Sequence, residues 1–199
     1  RLTGGFTKDY SGGSIYIQNF KNAKSIWHIT SCIFEGCKAS EPFCANHFGG
    51  SIYAKVESSA THNVIVNIKD SQFKNVRARS NGGAIYFWDD RGSAGLASSE
   101  LNIEGSTFEE CSTVLSNGGA VAVESSTNTL KVKIVSSTFK NNKAGQNGGG
   151  GALRLYNKVE ATLYGGLNVF EGNVGPDGTG RNTIDLSGGA KLLRLREQC

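Results

Sequence analysis

Trp88-Asp89-Asp90-Arg91-Gly92 is the one stretch of this 199-residue chain where carboxylates and a guanidinium crowd together. Cleaving a glycosidic bond takes two carboxylates facing one groove, and a basic neighbour often accompanies them. Asp89, Asp90 and Arg91 follow the end of an apolar strand and run into a Gly, Ser and Ala stretch, so a solvent-exposed loop is their expected setting. Glu57 and Glu124 lie only loosely near equivalent places in neighbouring units. The polygalacturonase-like words Asn-Thr-Asp and Gly-His-Gly are absent, and Asn182-Thr183-Ile184-Asp185 is not a match. His28, His47 and His62 stand beside no Ser or Cys in a nucleophile-base setting. No catalytic residue is assigned, and the chain is not expected to be an enzyme; a polysaccharide lyase or hydrolase is kept as an alternative.

The remaining reactive side chains point away from cofactor chemistry. Cys32, Cys37 and Cys44 are separated by four and six residues with no CxxC, and the histidines hold no repeated relation to them. That is not zinc spacing, so no metal and no cofactor are expected. One local disulfide among these three would suit an oxidising compartment, and the pairing, Cys199 included, stays open. The formal net charge of +4 comes from Lys and Arg scattered singly along the chain. Such a surface does not suit nucleic acid. No run of about 18 apolar residues occurs, so no membrane span is expected in this piece. The chain starts at Arg1 rather than Met, and is expected to be a fragment of a longer repeat protein.

What must position any site is a repeat. Gly-Gly, a small residue, an aliphatic, any residue and an apolar one recur at Gly12-Gly13-Ser14-Ile15-Tyr16-Ile17, Gly49-Gly50-Ser51-Ile52-Tyr53-Ala54, Gly82-Gly83-Ala84-Ile85-Tyr86-Phe87, Gly118-Gly119-Ala120-Val121-Ala122-Val123 and Gly150-Gly151-Ala152-Leu153-Arg154-Leu155. Gly188-Gly189-Ala190-Lys191 reads as a degenerate sixth copy. Between these words stand Phe34, Phe73, Phe108, Phe139 and Phe170. Most are preceded by an alternating strand such as Trp27-x-Ile29, Val66-x-Ile68, Leu101-x-Ile103 or Val132-x-Ile134. The last unit carries a small insertion around Gly165-Gly166. Five residues after each Phe comes a small side chain: Ala39, Ala78, Thr113, Ala144 and Gly175.

Successive Gly-Gly words are 37, 33, 36 and 32 residues apart. A period near 35 means stacked units, and the period-two patterning makes them strands rather than helices. With 27 Gly and only two Pro, the corners are tight turns. The expected fold is all-β, a right-handed single-stranded parallel β-helix or pectin-lyase-like solenoid of about five to six turns, with residues 1–199 forming one domain. Phe and aliphatic ladders fill its interior. Asn81, Asn117 and Asn147 are expected to stack as an amide ladder or to take a left-handed conformation. Cys37, Val76 and Cys111 share one column, so the two cysteines should lie two turns apart, about 9.6 Å at roughly 4.8 Å per turn, too far for a disulfide. Tyr16, Tyr53 and Tyr86 occupy equivalent outward positions and are the binding candidates, since such a ladder could grip a sugar or a protein surface.

These two words resemble the repeats of the polymorphic outer-membrane proteins, the chlamydial autotransporter adhesins, and similar β-helical surface proteins of protists. That family alternates Gly-Gly-Ala-(Ile/Leu/Val) with Phe-x-x-Asn. The first is met in full by Gly82-Gly83-Ala84-Ile85, Gly118-Gly119-Ala120-Val121 and Gly150-Gly151-Ala152-Leu153. Phe139 with Asn142 and Phe170 with Asn173 meet the second, whereas Phe34, Phe73 and Phe108 are followed at that place by Cys37, Val76 and Cys111. The resemblance implies a non-enzymatic extracellular or cell-surface module for adhesion or structural scaffolding. Its partner would be a host or neighbouring-cell surface protein or glycan, or further copies of itself. A self-assembling subunit of an extracellular filament or coat is the other non-enzymatic alternative.

Overall fold

Alternating apolar residues need a second layer to face, and here each repeat supplies its own by turning back under the previous one. In the computed structural model, which describes residues 2–3, 12–19, 24–39, 48–92, 96–164, 168–176 and 183–195, one repeat makes one coil. The coil that begins at Gly82 carries strands Ile85–Asp89, Ser99–Glu104, Thr107–Glu109 and Ser112–Thr113. Each strand pairs in parallel with its counterparts in the coils on either side. The result is a β-solenoid of about 5 turns with no helix among the described residues. The Phe does not sit on the alternating strand but on a separate three-residue strand beyond a corner, so each coil has more sides than two strands per unit suggest.

The corners explain the glycines. Gly12, Gly49, Gly82, Gly118 and Gly150, the first of each pair, have φ between 57° and 79°. A side chain there would be strained. The second glycine has another reason: a β-carbon on Gly83 would overlap the carbonyl oxygen of Gly119 on the next coil. Two more corners per coil are left-handed. Ser31, Asp70, Gly105 and Ser136 form one column, and Gly36, Asn75, Glu110, Asn141 and Gly172 form the other. Glu110, at φ 54°, is the worst fitted of these types. Replacing it with Gly, as at Gly36 where an added β-carbon would meet nothing, should raise stability by roughly 0.5–1 kcal/mol. Part of the gain is offset by glycine's freedom in the unfolded chain. A shift of the urea midpoint to higher concentration checks this; an unchanged or lower midpoint would mean that Glu110 holds the corner by a contact.

The interior is a set of ladders. Phe34, Phe73, Phe108, Phe139 and Phe170 stack nearly parallel, with centroids 4.7, 4.7, 4.7 and 4.9 Å apart. The small column after them is buried throughout. Asn142 and Asn173 explain the Phe-x-x-Asn word. The Asn142 amide donates to the Phe108 carbonyl at 3.0 Å and to Asn173 Oδ1 at 2.8 Å, and its oxygen accepts from the Cys111 backbone at 2.9 Å. Cys37, Val76 and Cys111, fully buried, continue that column with smaller groups, which places the two cysteines two coils apart as expected. Burial pushes the Cys111 thiol up to about 12, so it stays protonated and unreactive at neutral pH. A hydroxyl ladder adds to these: the backbone N–H of Cys32, Ser71 and Ser106 donates to Ser71, Ser106 and Ser137 Oγ in turn.

The outer faces alternate in charge. Glu35, Lys74, Glu109, Lys140 and Glu171 are successive rungs of one column. Glu100, Lys131, Glu160 and Lys191 are rungs of another. Several rungs close as ion pairs, including Lys69–Glu104 at 3.0 Å and Lys74–Glu109 at 3.4 Å.

Three sequence expectations need correction. Gly188-Gly189 is not a sixth Gly-Gly word: Ile184 pairs with Leu153 and Lys191 with Glu160, so the glycines, at φ 63° and 92°, turn the corner between those two strands. Asn147 is not the third rung of the amide ladder, because Gly149 holds that place and its carbonyl accepts from Gly118. Trp27 keeps the register of Val66 but is 43% exposed, on the first described strand of its sheet. The insertion near Gly165-Gly166 falls outside the described residues, as do Cys44 and Cys199. Its size is still visible: Val135 to Thr138 is three steps, and the paired Tyr164 to Val169 is five.

Candidate functional site

The sheet that begins at each Gly-Gly corner points every second residue outward. Its first outward column reads Tyr16, Tyr53, Tyr86, Ala122, Arg154 and Asp185. The second reads Gln18, Lys55, Trp88, Glu124, Tyr156 and Ser187. Tyr16, Tyr53 and Tyr86 stack at 5.3 and 5.4 Å, so the tyrosine ladder exists. Phe48 lies over it, 5.6 Å from Tyr53 and 4.8 Å from Tyr86. Tyr53 and Tyr86 are buried in consequence, and Tyr16 is the exposed member. Burial holds both covered phenols well above the usual tyrosine range, so they act as hydroxyl donors.

At Ala122 the aromatic column stops. The next coil also lacks a side chain at Gly149, the place held by Asn81 and Asn117 on the coils before. The methyl group at Ala122 leaves a cleft of about 260 Å³ bounded by Tyr86 on one side and by Arg154 and Tyr156 on the other. Its polar groups are ordered. Asn81 hydrogen-bonds the Tyr86 hydroxyl, which donates to Glu124 Oε2 at 2.9 Å. The Arg154 guanidinium pairs with Asp185 and lies 5.5 Å from the Tyr156 ring. Arg154 Nε is buried with no acceptor among the described residues. Burial lowers the Arg154 pKa, and the neighbouring Tyr156 and Glu124 oppose that shift.

The Asp89, Asp90 and Arg91 cluster is placed differently from the expected loop. Ile85, Phe87 and Asp89 all point inward, and both Asp89 and Arg91 are fully buried. They form a bidentate pair, Nε to Oδ1 at 2.9 Å and Nη2 to Oδ2 at 2.6 Å. Nη2 also donates to the Ala97 carbonyl at 2.9 Å and to Ser99 Oγ at 3.2 Å. Arg91 therefore clamps the connection between two strands from inside the coil. Asp90 alone is near the surface, accepting from Ser126 Oγ at 3.3 Å. Asp89 is thus a structural group: Asp89→Asn would test stability, not catalysis. Among the described residues, no group of three or more His, Cys, Asp or Glu side chains could hold a metal ion.

This architecture is that of a parallel β-solenoid built on paired Gly-Gly and Phe columns. The family model described as the Chlamydia polymorphic membrane protein repeat matches residues 136–154. That segment runs from the Ser136 corner through Phe139 and Asn142 to the Gly150-Gly151-Ala152-Leu153 word, the stretch where this chain meets both words in full. No curated protein and no solved structure matches the chain.

Proposed function

We propose that this chain is a non-enzymatic adhesion module displayed at the cell surface, binding a surface protein or glycan of a host or neighbouring cell. The observation that carries the reading is the polymorphic membrane protein repeat matched at residues 136–154, in a solenoid whose Phe residues recur in register on the other coils. The engagement of the carboxylates supports it as well. Asp89 is held by Arg91, Asp185 by Arg154, Glu57 by Lys55 at 3.1 Å, and Glu124 by Tyr86. A glycosidase needs one carboxyl free to give a proton and another free to attack or to activate water.

The test pairs attachment with turnover. Fluorescent beads coated with the purified chain should bind cultured epithelial cells saturably and be competed by the soluble chain. Polygalacturonate, alginate and chondroitin incubated with the chain should release no new reducing ends or unsaturated uronate. Turnover abolished by Glu124→Gln would replace this reading with an enzymatic one, and beads that attach no better than albumin-coated ones would remove the adhesion role.

A further inference from the structure

The cleft at Ala122 is a place where two stabilising columns are both interrupted on adjacent coils. Tyrosine at position 122 would continue a stack of three rings, and asparagine at position 149 would continue an amide ladder that already bonds Asn117 Nδ2 to Asn81 Oδ1 at 3.3 Å. The chain instead carries a methyl group and no side chain. Gly149 is also what lets the Asp185 carboxylate come close, since a β-carbon there would overlap it. Packing alone favours filling the gap that remains at Ala122.

What surrounds the gap suits one chemistry. Tyr156, 37% exposed, offers a partly open ring with the Arg154 guanidinium 5.5 Å over it. Glu124 accepts hydrogen bonds and Arg154 donates them, while the Asn117 amide already gives its Nδ2 hydrogens to Asn81 Oδ1 and Ser116 Oγ and keeps one acceptor site on its oxygen. Its oxygen already takes the Gly149 N–H at 2.8 Å, which fixes the amide's orientation. A mixture of donors and acceptors around an aromatic face matches hydroxyls, each of which donates and accepts, spread over a ring with apolar C–H faces. The charge excludes polyanions: Arg154 is neutralised by Asp185, which leaves Glu124 as the uncompensated charge of the cleft. A uronate or sulfate would meet a carboxylate of its own sign. The volume is below that of sites for drug-sized ligands, and so fits a single ring rather than a folded ligand.

The geometry points to a binding subsite for one neutral sugar ring of a glycan, seated in the cleft between Tyr86 and Tyr156 with Glu124 and Arg154 as its hydrogen-bonding partners. The inference deepens the adhesion reading above and rests on it for its biological role. Calorimetric titration of the chain with maltohexaose, mannohexaose, chitohexaose and a heparin hexasaccharide tests it, alongside a lysine-rich peptide as the competing cationic occupant. At least one neutral hexasaccharide should bind, and heparin should not. Ala122→Tyr, which fills the gap and continues the ring stack, should weaken that binding by about tenfold or more while far-UV circular dichroism and melting stay unchanged or improve. Tyr156→Ala, at an exposed position, should do the same, and Glu124→Gln should weaken binding several-fold.

Three results would overturn the subsite: no neutral oligomer binding up to about 1 mM, binding of heparin or the peptide alone, or neutral binding undiminished by Ala122→Tyr. Bead attachment that survives Ala122→Tyr after oligosaccharide binding is lost removes the cleft from adhesion and leaves adhesion standing. Oligosaccharide binding without bead attachment does the reverse.

Discussion

Arg91→Ala is expected to lower the unfolding free energy by about 3–5 kcal/mol, because it strands the Asp89 carboxylate inside the solenoid without a counter-charge. Both side chains are fully buried, and the guanidinium also satisfies the Ala97 carbonyl and Ser99 hydroxyl. The pair itself is a weak net stabiliser, since Nη1 is buried with no acceptor among the described residues and both ions were taken out of water. A paired replacement should therefore recover most of the loss. Asp89 lies in the same column as Val56, so Asp89→Val combined with Arg91→Met restores an apolar rung of the kind the neighbouring coil already has. Urea unfolding of the single and the double variant checks both halves. A single-variant loss below about 1 kcal/mol would mean that the side chain reaches solvent.

Phe108→Ala should cost about 3–5 kcal/mol, combining lost transfer energy with a cavity that the coil cannot close. The rigidity comes from the ladder. Phe108 is fully buried and stacked 4.7 Å from Phe73 on one side and from Phe139 on the other, and the coil spacing is held by backbone hydrogen bonds on both. Phe108→Leu, which keeps most of the volume, should cost less than half as much. Phe170→Ala should also cost less, because that ring is only partly buried. Equal losses at Phe108 and Phe170 would contradict a column whose middle is better packed than its end.

The columns were legible in the sequence because each has a single physical cause acting at every coil. Left-handed φ and backbone contact demand the glycine pair, and interior width demands Phe and the small residue five places later. Asp89 and Arg91 were not, since charged residues beside Gly and Ser look like a surface loop. Strand parity carried the missing signal: Ile85 and Phe87 face inward, and Asp89 is the next residue of that alternation. The cleft could not be read at all before the register was known. It depends on Ala122 lying between Tyr86 and Arg154 on the coils to either side. The tyrosine ladder was readable as a column, but Phe48, which covers it, lies outside any repeated word.

A coil built from near-copies of itself faces a particular misfolding risk: skipping a turn lets its two neighbours stack directly while the Phe and Gly-Gly columns still match. The alternating Glu and Lys rungs act against this as a parity check. Leaving out one turn would set Glu35 on Glu109, or Lys74 on Lys140, and so exchange the two attractions of the skipped rung for one repulsion in that column. Leaving out two would restore the alternation, but only by looping out twice the chain. Opposite charges that add little to the finished fold thus tell the folding chain which of its look-alike neighbours is the next one.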